Sequence, residues 1–200
     1  MSTCRHVGTA ANIAETQALA QVVLVGSLIG LSWLLMQDTH ELGHVLAAWT
    51  TGGAVKQVHL QPLTISSTEV RPNPSPLIVT WAGPMFGIAA PVLLWGLSAM
   101  VGWTGAYLLR FWAGFCLVAN GAYLGAALLQ PVGDALVLLQ HGTPLWVLVV
   151  WGWLTVPGGV ALWHSQARYF NRRDAPVNPR HAWGLLVIFI VCVAMLMQYG

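Results

Sequence analysis

Five stretches of this chain are long and apolar enough to cross a bilayer as helices, and no other feature narrows its fold as much. A spanning helix needs about 20 mostly apolar residues, and the stretches run over 18–49, 76–100, 103–129, 144–163 and 182–199. Tryptophans lie near several of their ends, at Trp49, Trp103, Trp146, Trp163 and Trp183, where an amphipathic ring suits the headgroup layer. Only 7% of residues are charged and 56% are hydrophobic, and the mean hydropathy is +0.67. A soluble domain carries about a quarter charged residues because its surface faces water. Eight basic and six acidic side chains cannot coat a soluble fold of 200 residues. The predicted class is an all-α integral membrane protein of about five transmembrane helices, its surface facing the lipid bilayer.

Between these stretches the texture changes. Residues 1–17 are polar and mixed, without the basic start, short apolar run and cleavage site of a removable signal peptide, so the first apolar stretch is expected to be retained. At roughly 1.5 Å per residue that stretch reaches about 48 Å, against a hydrocarbon layer of about 30 Å. It must tilt, project, or kink, with Gly26 and Gly30 as candidate breaks. Residues 54–70 alternate apolar and polar side chains after Thr51-Gly52-Gly53, with Pro62 between the two halves. Two short strands forming a ribbon fit that pattern; an irregular loop is the plainer alternative. Residues 164–180 form a solvated basic loop with Arg168, Arg172, Arg173 and Arg180 against Asp174. The chain thus reads as a single membrane domain over 1–200. It comprises the tail 1–17, a core over 18–140 that includes the ribbon 54–70, and two further helices over 141–200. A net charge of +2 is too small and too dispersed to suggest a nucleic-acid partner, and none is expected. Cys4, Cys116 and Cys192 lack any metal or disulfide spacing, and the two inside apolar segments read as small buried hydrophobes.

The chemistry is concentrated in Thr39-His40-Glu41-Leu42-Gly43-His44. Residues four apart on a helix share one face about 6 Å apart, so His40 and His44 can close on one metal ion, while Glu41 is displaced around the helix. That combination supplies hydrolysis: a zinc ion lowers the pKa of water to about 7, and the carboxylate takes the proton and passes it to the leaving amine. Asp38, His40, Glu41 and His44 crowd two turns of an apolar segment, where ionisable groups cost about 2.5–3.5 kcal/mol each and mark function. The plainer alternative is a polar helix end reaching water.

A catalytic zinc site has three protein ligands and an open position. Asp38 points away from the shared face, Glu15 precedes the first stretch, Glu69 lies in the ribbon and Asp174 in the basic loop. Asp134, in Gln130-Pro131-Val132-Gly133-Asp134-Ala135, is left as the third ligand; alternatively it is a helix N-cap. His141, two turns further on if the helix continues, is a substitute ligand or an outer partner, and His59 a weaker substitute. Asn120 could donate to a developing oxyanion or act as interhelical glue. Ala82-Gly83-Pro84-Met85-Phe86-Gly87 permits a kink and close packing near the site.

In order along the chain, HELGH followed by Gly52-Gly53 and a ribbon, then AGPMFG, then PVGDA, the chain resembles the site-2 protease family of intramembrane zinc metalloproteases over about 37–140. The resemblance implies a three-helix catalytic core, zinc held by His40, His44 and Asp134, Glu41 as catalytic acid/base, and Asn120 as the family's asparagine before the aspartate. Two departures bear on the third ligand: Ala135 follows Asp134 where the family commonly has glycine, and Asn120 stands further from Asp134 than is usual there. The substrate class implied is a transmembrane protein cleaved in or near its membrane segment, held as an extended strand by the ribbon edge.

Two other functions compete with a zinc metalloendopeptidase: a non-catalytic binding or regulatory relative, and a metal or proton transporter subunit using intramembrane His and Asp. Orientation is also contested. Arg5, Arg110 and the basic loop share the N-terminal side and place it in the cytoplasm by charge bias, whereas the resemblance implies the reverse. Size and the lack of organelle signals favour a bacterial inner membrane.

Overall fold

A computed structural model describes residues 3–164, 166–170 and 177–199, the side chains of 3–14, 167, 168 and 199 excepted. Arg172, Arg173, Asp174 and Pro176 of the basic loop, and the side chains of Cys4, Arg5 and Arg168, lie outside the described residues.

Helix α1 is continuous from Thr3 to Thr50. It starts within the segment read as a polar tail and passes through Gly26 and Gly30 without ending at either. Its apolar part, Glu15–Thr50, has 36 residues and is roughly 54 Å long, so it overhangs a layer of about 30 Å. Gly30 has a packing role instead of a breaking one, since a Cβ there would stand 2.5 Å from the Phe189 ring. Strands β1 (Val55–His59) and β2 (Ser67–Val70) follow, paired antiparallel with Val58 opposite Thr68 and His59 opposite Ser67. Their register is irregular between Val55 and Gln57. The expected ribbon is therefore present. Val55 and Val70 anchor it to Ala47, Ala48 and Val79.

Helix α2 spans Pro76–Met100, with proline in its first turn and Pro84 and Pro91 buried in its interior. A proline at the start costs nothing, because its missing N–H is one of the helix's unpaired donors anyway. Helix α3 (Ala106–Gly125) ends in a 3₁₀ turn, Ala126–Leu128. Helix α4 (Gly133–Gln140) has eight residues, too few to cross a bilayer. It is pinned by Ala135 and Leu138, buried with Leu124, Ala127 and Leu148. Helices α5 (Leu145–Trp163), α6 (Ala167–Phe170) and α7 (Pro179–Tyr199) complete the chain. Among the described residues five helices are long and apolar enough to cross a membrane: α1, α2, α3 with its 3₁₀ turn, α5 and α7.

Helices α1, α2 and α3 pack together as the centre, α5 lies against α3, and α7 lies against α1. Lipid supplies no hydrophobic force between helices, so association depends on close backbone approach, which small residues allow. Gly43 of α1 faces the Ala82 carbonyl of α2, where a Cβ would come within 2.3 Å. Gly152 of α5 faces Gly121 and Gly125 of α3 in the same way, at 2.9 and 3.0 Å. Two crossings separate the end of α1 from the start of α4. The two therefore lie at the same end of the bundle, with the ribbon.

Candidate metal centre

His40 and His44 point inward from α1, 7% and 6% exposed, and Glu41 is 3% exposed. Their ring centroids are 4.8 Å apart, as the four-residue spacing requires. Each ring is fixed by its Nδ1. That of His40 donates to Asn120 Oδ1 at 2.6 Å, and that of His44 donates to the Val79 carbonyl of α2 at 2.7 Å. Both Nε2 atoms then face Asp134. Its Oδ2 lies 2.8 Å from His40 Nε2 and 3.3 Å from His44 Nε2. One ligand atom from each of the three residues falls within 4.8 Å of the others, so the group could hold a metal ion.

Asp134 reaches the pair through a particular turn. Val132 is the N-cap residue and is extended, so Asp134 sits inside the first turn of α4 and is not its cap. Gly133 has φ of 52°, and a Cβ there would come within 2.1 Å of the Tyr123 hydroxyl. Only glycine meets both conditions easily. The Asp134 backbone N–H donates to that hydroxyl at 2.9 Å. Burial alone would raise the Asp134 carboxyl, but hydrogen bonds from His40 and His44 outweigh it and hold the group well below the usual carboxylate range.

Comparison with family models, curated proteins and solved structures found no match for this chain. What the site can do is therefore argued from its own geometry.

The structure brings His40, His44 and Asp134 together and sets the other candidates elsewhere. His141 is not a ligand here. Helix α4 stops at Gln140, because Gly142 takes φ of 92°, and the exposed His141 ring donates back to the Val137 carbonyl. His59 is exposed on β1. Asp38 stands outside the trio, as expected, with Oδ1 buried and without a hydrogen-bond partner. Asn120 bridges two helices, as the interhelical alternative expected. Its Oδ1 accepts from His40 and one Nδ2 hydrogen goes to the Cys116 carbonyl at 2.9 Å, which orients the His40 ring and joins α3 to α1. Glu41 is turned to the ribbon, accepting from Ser66 Oγ at 2.7 Å and Thr68 Oγ1 at 2.6 Å.

AGPMFG acquires a specific role. A Cβ at Gly83 would lie 2.4 Å from the His44 ring and 2.9 Å from His40 Nε2, and one at Gly87 would lie 3.1 Å from the Asn120 amide. The motif is the flat wall against which the histidines and Asn120 rest. Sequence reasoning missed Val79, Tyr123, Ser66 and Thr68. A backbone carbonyl has no residue signature, but the Ser66-x-Thr68 repeat at the start of a strand was visible.

Proposed function

We propose that this chain is a zinc-dependent intramembrane endopeptidase of the site-2 protease kind, hydrolysing peptide bonds in or near transmembrane segments. One observation carries the reading. With both Nδ1 atoms committed elsewhere, two imidazole Nε2 atoms and a carboxylate converge on one buried point. A carboxylate oxygen this close to two ring nitrogens needs a cation between them, either a proton on the rings or a metal ion in their midst. Two imidazoles and a carboxylate are a donor set that zinc takes: ligands about 2.0–2.1 Å from a tetrahedral ion stand roughly 3.4 Å apart, which the 3.3 Å from Asp134 to His44 matches and the 2.8 Å from Asp134 to His40 falls short of. The fixed Nδ1 atoms are the outer partners that a metal-binding histidine requires.

His40, His44 and Asp134 would hold the ion. When bound there, zinc polarises the scissile carbonyl and makes water acidic enough to be deprotonated near neutral pH. Glu41, buried and one residue from a ligand, takes the proton of the attacking water and delivers it to the leaving amine. Asn120 keeps His40 oriented. The ribbon offers an exposed strand edge to a substrate segment that has unwound, because a helical segment presents no free backbone groups to a protease. An apolar groove of about 700 Å³ between α1, α7 and the ribbon loop, lined by Trp33, Leu63 and Phe189 among others, suits the approach of such a segment. The reading keeps the expectation of a bacterial inner membrane.

The test is cleavage of a panel of single-span reporter proteins in liposomes by the zinc-loaded protein. The wild type should cleave at least one reporter, and Glu41→Gln should slow cleavage by about 10²–10⁴-fold at unchanged zinc content. Cleavage by Glu41→Gln at the wild-type rate, or no cleavage of any reporter, would overturn the reading.

A further inference from the structure

We propose that Ser66 and Thr68 are positioning residues that hold the Glu41 carboxylate for proton transfer, so that the seating of the ribbon sets the orientation of the base. The inference rests on the protease reading of the same site.

Three turns of α1 fasten the segment 62–68. Trp33 Nε1 donates to the Pro62 carbonyl at 3.0 Å, and Gln37 Oε1 accepts from the Ser66 backbone N–H at 2.9 Å. Glu41 accepts from the Ser66 and Thr68 hydroxyls, one on each carboxylate oxygen, at 2.7 and 2.6 Å. Residues 33, 37 and 41 are one turn apart and form a single stripe. The first two bonds seat the loop, and the third pair spends that seating on the carboxylate. Both bonds are short and bring a hydroxyl donor to a carboxylate oxygen. Thr68 is itself located by its pairing with Val58. Strand pairing, loop seating and base orientation therefore form one connected chain of contacts.

A glutamate side chain has several rotatable bonds, and ordering it costs up to about 2 kcal/mol of rotamer freedom. Two hydroxyls fixed on a strand provide that order in advance. They do not block the base, because each carboxylate oxygen retains a second lone pair to accept a proton. A substrate strand added to the ribbon would pull on the same element that carries Thr68. Binding and the base are thus linked through two hydroxyl groups.

The test uses two readouts on the full chain, one of which needs neither metal nor turnover. The chain has six acidic side chains, so the infrared difference between wild type and Glu41→Gln isolates the Glu41 carboxylate stretch. Thr68→Val and Ser66→Ala should each shift that band, and Thr68→Ser and Ser66→Thr should restore it. On a reporter cleaved by the wild type, Thr68→Val should lower kcat by about tenfold with KM within about twofold, and Thr68→Ser should recover most of the loss. An unmoved band, or a wild-type kcat in both Thr68→Val and Ser66→Ala, would overturn the inference even if the enzyme is active. A wild type that cleaves no reporter would instead overturn the protease reading and take the catalytic role of these hydroxyls with it.

Discussion

His40 and His44 can serve one ion because neither ring is free to turn. Asn120 and the Val79 carbonyl take their Nδ1 protons, and Gly83 leaves no room on the third side. Removing one holder should therefore cost affinity without removing a ligand. Asn120→Ala is expected to weaken zinc binding by about 10–100-fold, measured by competition with a chelator of known affinity; unchanged affinity would reduce Asn120 to interhelical packing. At this scale the sequence was partly legible. The i, i+4 histidines and the acid between them name themselves, because helical spacing alone puts two imidazoles on one face. Asp134 was reached by elimination among few acids and by resemblance. Val79 was not legible, since what it contributes is a backbone carbonyl, and Tyr123 was not, since its contact with Asp134 depends on the positive φ of Gly133. His141 depended on the helix continuing, and Gly142-Thr143-Pro144 stops it at Gln140.

On the protease reading, the ribbon would join substrate handling to chemistry. It is small, two strands of five and four residues, and is held to the bundle by Val55 and Val70 at its base and by the Trp33, Gln37 and Glu41 bonds along its loop. None of these bonds touches His40, His44 or Asp134. Replacing 57–68 by a short Gly-Ser linker should therefore leave zinc content intact and abolish reporter cleavage; normal cleavage by the deletion would show that the ribbon takes no part. Alternation of side chains made the strands legible, and Pro62 marked the break between them. The stripe that seats the loop was harder to read, because Gln37 and Trp33 look like ordinary residues of a membrane helix until Ser66 and Pro62 are brought beside them.

For the molecule as a whole, hydropathy was a sufficient guide to the number and place of the spanning helices, since lipid tolerates few charges on any of them. It did not limit α1 to the apolar stretch, because a helix can continue past the membrane wherever its backbone satisfies itself. Five crossings place the two ends of the chain on opposite faces, and two crossings bring α4 back to the end of α1, where Asp134 meets the histidines. Reporter fusions at the two termini should accordingly report opposite compartments, with the N-terminus cytoplasmic by the distribution of arginines. Reporters on the same face would remove one crossing and break the placement of Asp134.

The central claim is a metal centre built from His40, His44 and Asp134, and the most direct measurement is zinc per chain by elemental analysis in detergent. Wild type should carry about one zinc, and both His44→Ala and Asp134→Ala should lose it, as a site with three protein ligands requires. Zinc retained in Asp134→Ala, or none bound by metal-supplemented wild type, would contradict the account.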